Sequence, residues 1–153
     1  CSGGLARGCL NLGLLYSELK KSSDSMIWFA QACNRGDVNG CDLKELTEAS
    51  ELAAAHKPAE AAVIMARFCS DTRKDGCVDL GLLALEMDDK TRASRAFLDA
   101  CHSGSDDGCA KYGEQELNQG RASVAMEFCA KACKASRKDG CDCAAKAKKL
   151  IGP

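Results

Sequence analysis

The sequence predicts an all-α fold: an α-solenoid of antiparallel helix pairs, about nine helices in all. Three observations predict it: a cysteine frame that returns at a fixed period, two helix-period apolar stretches in each period, and no strand signal between them. Ten of the twelve cysteines form five C-x7-C frames: Cys1 and Cys9, Cys33 and Cys41, Cys69 and Cys77, Cys101 and Cys109, Cys133 and Cys141. Their first members lie 32, 36, 32 and 32 residues apart. The runs between partners are polar and Gly-rich, as in CNRGDVNGC and CHSGSDDGC, and read as loops that close on a Gly-Cys turn.

Each period holds two kinds of helix. The first kind follows the second cysteine of a frame, in CLNLGLLYSELK, CDLKELTEASELAAA, CVDLGLLALEM, CAKYGEQELNQG and CDCAAKAKKL. The second kind leads into the next frame, in DSMIWFAQAC, PAEAAVIMARFC, KTRASRAFLDAC and RASVAMEFCAKAC. Both place apolar residues at i, i+3, i+4 and i+7, the stripe of a helix with one buried face. Ser22, Ser23 and Asp24 are positioned to cap the first helix of the second kind, and Pro58 suits the first turn of the next. Asp88-Asp89 and Gly120 punctuate later joins. The longer second period adds roughly one helical turn between Cys41 and Cys69. The last helix is short and lysine-rich, as a polar terminal cap should be.

Two registers stand out. Gly13, Gly81 and Gly113 each lie four residues after a second cysteine. A helical Gly costs about 1 kcal/mol relative to Ala, so its return at one register predicts a close approach of neighbouring helix backbones. Leu12, Leu80 and Tyr112, one residue earlier, are assigned to the core. The whole chain, 153 residues at 46% hydrophobic and 28% charged, reads as one solenoid domain, 1–153, of about four repeats and a capping helix. A formal net charge of -1 argues against a general nucleic-acid binder. No apolar run approaches the roughly 20 residues of a membrane span.

The segment Cys9-Leu10-Asn11-Leu12-Gly13-Leu14-Leu15-Tyr16, its weaker copy Cys77-Val78-Asp79-Leu80-Gly81-Leu82-Leu83, and the halves Phe29 to Cys33 and Phe97 to Cys101 resemble Sel1-like repeats. These are relatives of the tetratricopeptide repeat, and the nearest likeness is to the Helicobacter cysteine-rich proteins. Glu45 and Ala145 depart from the pattern by replacing its Gly. The resemblance implies an αα-superhelix in which each C-x7-C pair is a disulfide stapling one repeat to the next. It also implies a secreted or periplasmic location, or the mitochondrial intermembrane space.

Structural disulfides suit these frames better than redox chemistry. A reactive pair normally sits two residues apart at a helix start, where its thiol pKa is lowered. Closing a loop of about nine residues stabilises the fold by about 2.6 kcal/mol in the chain-entropy estimate. Cys129 and Cys143 lie outside the frames, Cys129 in the register of Phe29, Met65 and Phe97. A sixth bridge between them is the preferred expectation. The alternative is a four-thiolate zinc site from Cys129, Cys133, Cys141 and Cys143.

No G-x-S-x-G, P-loop, H-E-x-x-H or dinucleotide fingerprint occurs, and His56 and His102 stand alone beside predicted turns. Ser17-Glu18-Leu19-Lys20 matches the S-x-x-K of penicillin-binding proteins and β-lactamases, a label some relatives carry, without an accompanying S-D-N or K-T-G. Seven basic residues between Lys131 and Lys149 read as a solvated cap face. The expected function is therefore a non-enzymatic, monomeric scaffold without cofactor, binding a protein or peptide in its concave groove. Asn11, Lys44, Asp79 and Lys111, two or three residues past a framing cysteine, are the expected groove positions. A metal- or cofactor-handling assembly factor, or weak penicillin-binding or β-lactamase activity, is the alternative.

Overall fold

The computed structural model describes Cys1, residues 5–69 and residues 75–152, and is all-helical over them. Nine helices follow one another among the described residues: α1 (Ala6–Glu18), α2 (Ser22–Asn34), α3 (Val38–Ala54), α4 (Pro58–Phe68), α5 (Asp75–Glu86), α6 (Lys90–His102), α7 (Asp106–Asn118), α8 (Ala122–Lys134) and α9 (Lys138–Ile151). Part of the first frame, residues 2–4, and part of the third, residues 70–74, fall outside the described residues. The contacts divide the chain into two compact units, Cys1–Ile64 and Met65–Pro153, with the boundary inside α4. In the first, α2 packs on α1 and α3. In the second, α5, α6, α7, α8 and α9 pack in succession, and α7 also touches α5 and α9. The added turn of the second period lies in α3, which has 17 residues where α1 and α7 have 13.

One joint recurs at seven helix ends. Three residues connect the helices, and the middle one has positive φ: Lys20, Gly36, His56, Asp88, Gly104, Gly120 and Ser136. The third residue donates its N–H to the carbonyl five residues back, as Asp37 does to Ala32 at 3.1 Å and Ser105 to Ala100 at 2.9 Å. The middle residue donates to the carbonyl three back, as Gly36 does to Cys33 at 2.8 Å. This is the Schellman pattern, which satisfies carbonyls a helix end would otherwise leave unpaired. Four of these left-handed positions carry a side chain, at a cost of about 1–2 kcal/mol each relative to a right-handed residue. His56 is one of them, and its side chain is exposed.

The joints correct the loop reading of the cysteine frames. Cys33 is still in α2, and Cys41 lies in the first turn of α3, so only Arg35-Gly36-Asp37 lies outside helix. The Gly before each second cysteine is therefore a helical residue. A Cβ on Gly40 would lie 2.6 Å from the Ala32 Cβ and 2.9 Å from the Cys33 nitrogen. Gly108 stands the same way against Ala100 and Cys101, and Gly140 against Ala132 and Cys133. The first turn is also capped there: the Gly40 N–H donates to Asp37 Oδ1 at 3.0 Å, and the Gly108 N–H to Ser105 Oγ at 3.1 Å. By contrast, Ser22 and Asp24 are inside α2 rather than before it; Lys21 is its N-cap residue and makes no side-chain cap bond.

All twelve cysteines are paired as disulfides. The five framed pairs have Cα atoms 4.3 to 4.6 Å apart, and Cys129 joins Cys143 at 5.7 Å. Around them the core is built from small residues, among them Ala32, Ala49, Ala93, Ala100, Ala125 and Ala132, with Phe29 and Phe97 as its largest fully buried side chains. The Gly13 register explains how such rings fit. A Cβ on Gly13 would overlap the Phe29 ring, one on Gly81 the Phe97 ring, and one on Gly113 the Cys129 sulfur. At Gly13 and Gly81 the partner that approaches is a side chain of the next helix, where the sequence suggested the backbone; at Gly113 the backbone approaches as well, with the Cys129 nitrogen 3.1 Å and the Ala125 oxygen 3.3 Å from such a Cβ. Leu80 is buried in this layer, and Leu12 and Tyr112 are half-buried.

Glu116 is the one fully buried acid among the described residues. Arg121, at the start of α8, grips it with two hydrogen bonds, from Nε to Oε2 and from Nη2 to Oε1 at 2.6 Å. That guanidinium holds the carboxyl below the ordinary range, against the opposing effect of burial. Tyr112, pushed up by burial and then by Glu116, stacks edge-on against Phe128 at 4.6 Å.

Four outcomes are expected. Gly108→Ala should lower stability by about 1–3 kcal/mol through overpacking, whereas His56→Gly should raise it by about 1 kcal/mol or less. Urea denaturation midpoints read both, and a stabilising Gly108→Ala would refute the close approach. Glu116→Gln should cost about 2 kcal/mol near neutral pH. The folded carboxyl titrates below its unfolded value of about 4.3. Its contribution is therefore complete above that value and lost as pH falls through the lower folded one. A wild-type-minus-variant difference independent of pH would contradict this. Finally, intact mass should rise by twelve hydrogens on reduction, two for each of six bridges.

Candidate binding cleft

The second unit holds a cleft of about 360 Å³ between α7 and α9. Both helices begin directly after a joint and carry the second cysteine of their frame in the first turn, and the cleft sets the later half of α7 against the start and middle of α9. From α7 come Glu114, Leu117 and Asn118, and from α9 Asp139, Asp142, Cys143 and Lys146. Glu114 and Lys146 occupy the same register, five residues past Cys109 and Cys141. Leu14, Leu46 and Leu82 stand there in α1, α3 and α5, with Leu14 and Leu82 exposed.

Charge organises the cleft. Arg137, just before α9, donates to Asp107 Oδ1 of α7 at 2.5 Å and to Asp139 Oδ2 at 3.0 Å. One guanidinium thereby ties the first turn of α7 to the first turn of α9. It lowers the Asp139 pKa, chiefly through its hydrogen bonds. Lys111 Nζ pairs with Glu114 Oε2 at 3.4 Å. Half-exposed pairs of this kind stabilise little by themselves; their effect is to orient carboxylates along the cleft wall. Asp142 and Lys146 remain the exposed charges of the α9 wall. Leu117 adds an apolar contact to the lining and Asn118 a donor and acceptor. Three carboxylates against one ammonium make the lining predominantly acidic.

The expected groove positions are dispersed relative to this cleft. Asn11 and Asp79 are exposed on α1 and α5, while Lys44 and Lys111 are half-buried on α3 and α7. Lys44 sits one residue later in its helix than the other three, in the register of Leu12 and Tyr112. None of the four lines the α7/α9 cleft; Lys111 reaches it through Glu114. The cleft register was readable in the sequence as the fifth position after the framing cysteine, where leucine gives way to Glu114 and Lys146. Nothing in composition marked that change as a site.

The remaining candidates occupy ordinary positions. Ser17 lies exposed in the last turn of α1 and Lys20 in the following joint. His56 is a joint residue, and His102 is the exposed last residue of α6. Cys129, Cys133, Cys141 and Cys143 are taken up in two disulfides rather than offered as thiolates. No group of three or more His, Cys, Asp or Glu residues arranged to hold a metal ion occurs among the described residues. No helix among them is long and apolar enough to cross a membrane. Set beside known proteins, the chain matches no family model, and neither a curated protein nor a solved structure shows significant similarity to it.

Proposed function

We propose that the protein is a disulfide-stapled helical-repeat scaffold that binds an extended peptide or protein segment, with no chemistry of its own. The α7/α9 cleft carries this reading: two helices in equivalent positions of successive periods line it with three carboxylates, one ammonium and the Leu117 side chain. Such a lining, repeated, is how solenoids bind extended partners. The order of packing supports a solenoid of antiparallel pairs, since helices touch mainly their neighbours in sequence and α7 touches α5 and α9. The Gly13 and cysteine registers support kinship with Sel1-like repeats. Six disulfides fit an oxidising compartment, secreted or periplasmic.

Peptide display against the folded, fully oxidised chain tests the proposal. Selected extended peptides should lose binding by about tenfold or more, roughly 1.4 kcal/mol, in a Glu114→Ala/Lys146→Ala variant. Failure to select any binder, or binders indifferent to both substitutions, would remove the cleft from consideration.

A further inference from the structure

α1 leaves open a side that later helices of its kind keep covered. Six residues past the framing cysteine, Leu83 of α5 and Ala147 of α9 are buried, whereas Leu15 of α1 is 50% exposed. Three residues past it, Tyr112 of α7 packs against Ala84, Ala93 and Phe97 of the preceding helix pair. Leu12 holds that register in α1, and Leu19 and Leu5 continue the same side at 58% and 73% exposure. α2 takes the other side of α1, where Gly13 meets Phe29. The open side is thus a row of four leucines, three of them exposed.

The row fits a second copy of itself laid antiparallel. Leu5, Leu12 and Leu19 are seven residues apart, with Leu15 between the last two, which is the spacing of a coiled-coil seam. A two-fold axis through Leu12 sets Leu5 of each copy against Leu19 of the other. It also brings Leu15 opposite Gly8, where a Cβ would meet nothing nearer than the Cys1 nitrogen at 3.6 Å, so a leucine has room. Charge selects the same direction. Arg7 and Glu18 are exposed and lie within about 20° of each other around the helix, on one edge of the leucine row. The axis brings Arg7 of each copy beside Glu18 of the other. A parallel pair would put the two charged edges on opposite sides of the seam and leave both unmatched.

We propose that α1 is a homodimerisation surface, two copies of the chain pairing through an antiparallel α1–α1 contact with a leucine seam and two Arg7–Glu18 ion pairs across it. The contact uses the same patch on both chains, so it closes at two and does not propagate. It gives the chain a dimer where the sequence suggested a monomer. The dimer stands or falls independently of whether the α7/α9 cleft binds a peptide.

Sedimentation equilibrium of the full, oxidised chain tests this. With rising concentration the mass should move from that of one chain to that of two and stop there. Leu15→Glu/Leu19→Glu should weaken association by about a hundredfold or more, with a urea midpoint near wild type because both side chains are exposed in the single chain. Arg7→Glu and Glu18→Arg should each weaken it by about tenfold, since either reversal touches both ion pairs, and the two together should restore most of the loss. A single-chain mass at every concentration, growth beyond two chains, or a dimer indifferent to the leucine substitutions would overturn the proposal. A paired reversal no better than either single one would overturn the antiparallel contact.

Discussion

The distance between consecutive helices is set by one contact, the Gly that precedes a framing cysteine resting on the residue that precedes its partner. At Gly40, Gly108 and Gly140 no side chain would fit. With a Cβ there, the helices would separate, and the framed Cα atoms could not stay near 4.5 Å. The disulfide therefore records an approach that glycine permits. The joint, the first-turn cap and the bridge are three consequences of the same close contact.

Small residues extend that constraint inward. A core of alanines and half-cystines leaves little room for aromatic rings, and the two that are fully buried enter only over glycines of the neighbouring helix. Packing of this kind derives less from apolar area per side chain than from dense backbone proximity, since dispersion falls steeply with separation. It also explains why one misplaced methyl matters more here than in a leucine-rich bundle.

Much of this was legible in the sequence, for identifiable reasons. The period, the two helices within it, the extra turn in the second period and the significance of the Gly13 register all follow from spacing, which a regular helix preserves. What spacing does not carry is where a helix begins. Ser22 and Asp24 have the chemistry of a cap, yet α2 already begins at Ser22 with Lys21 as its N-cap, after a left-handed Lys20 that no propensity argument favours. The Gly-Cys runs looked like loops because polar, Gly-rich segments usually are; here polarity reflects exposed first and last turns. The cleft was missed for a similar reason. Its register alternates between leucine in some helices and charge in others, and only the packing of α9 on α7 distinguishes a lining residue from a solvated one.

The short reach of the framed pairs bears on how the chain acquires its covalent structure. Twelve cysteines admit on the order of ten thousand complete pairings. Five of the six native partners are eight residues apart, across a joint that the backbone forms locally. In the first four frames the nearest cysteine in sequence is the native partner, whereas Cys133 lies four residues from Cys129 and Cys141 two from Cys143. Cys129–Cys143 spans fourteen residues and encloses Cys133–Cys141. Correct pairing in this segment therefore depends on a choice among four cysteines within fifteen residues, where each earlier frame offers only two.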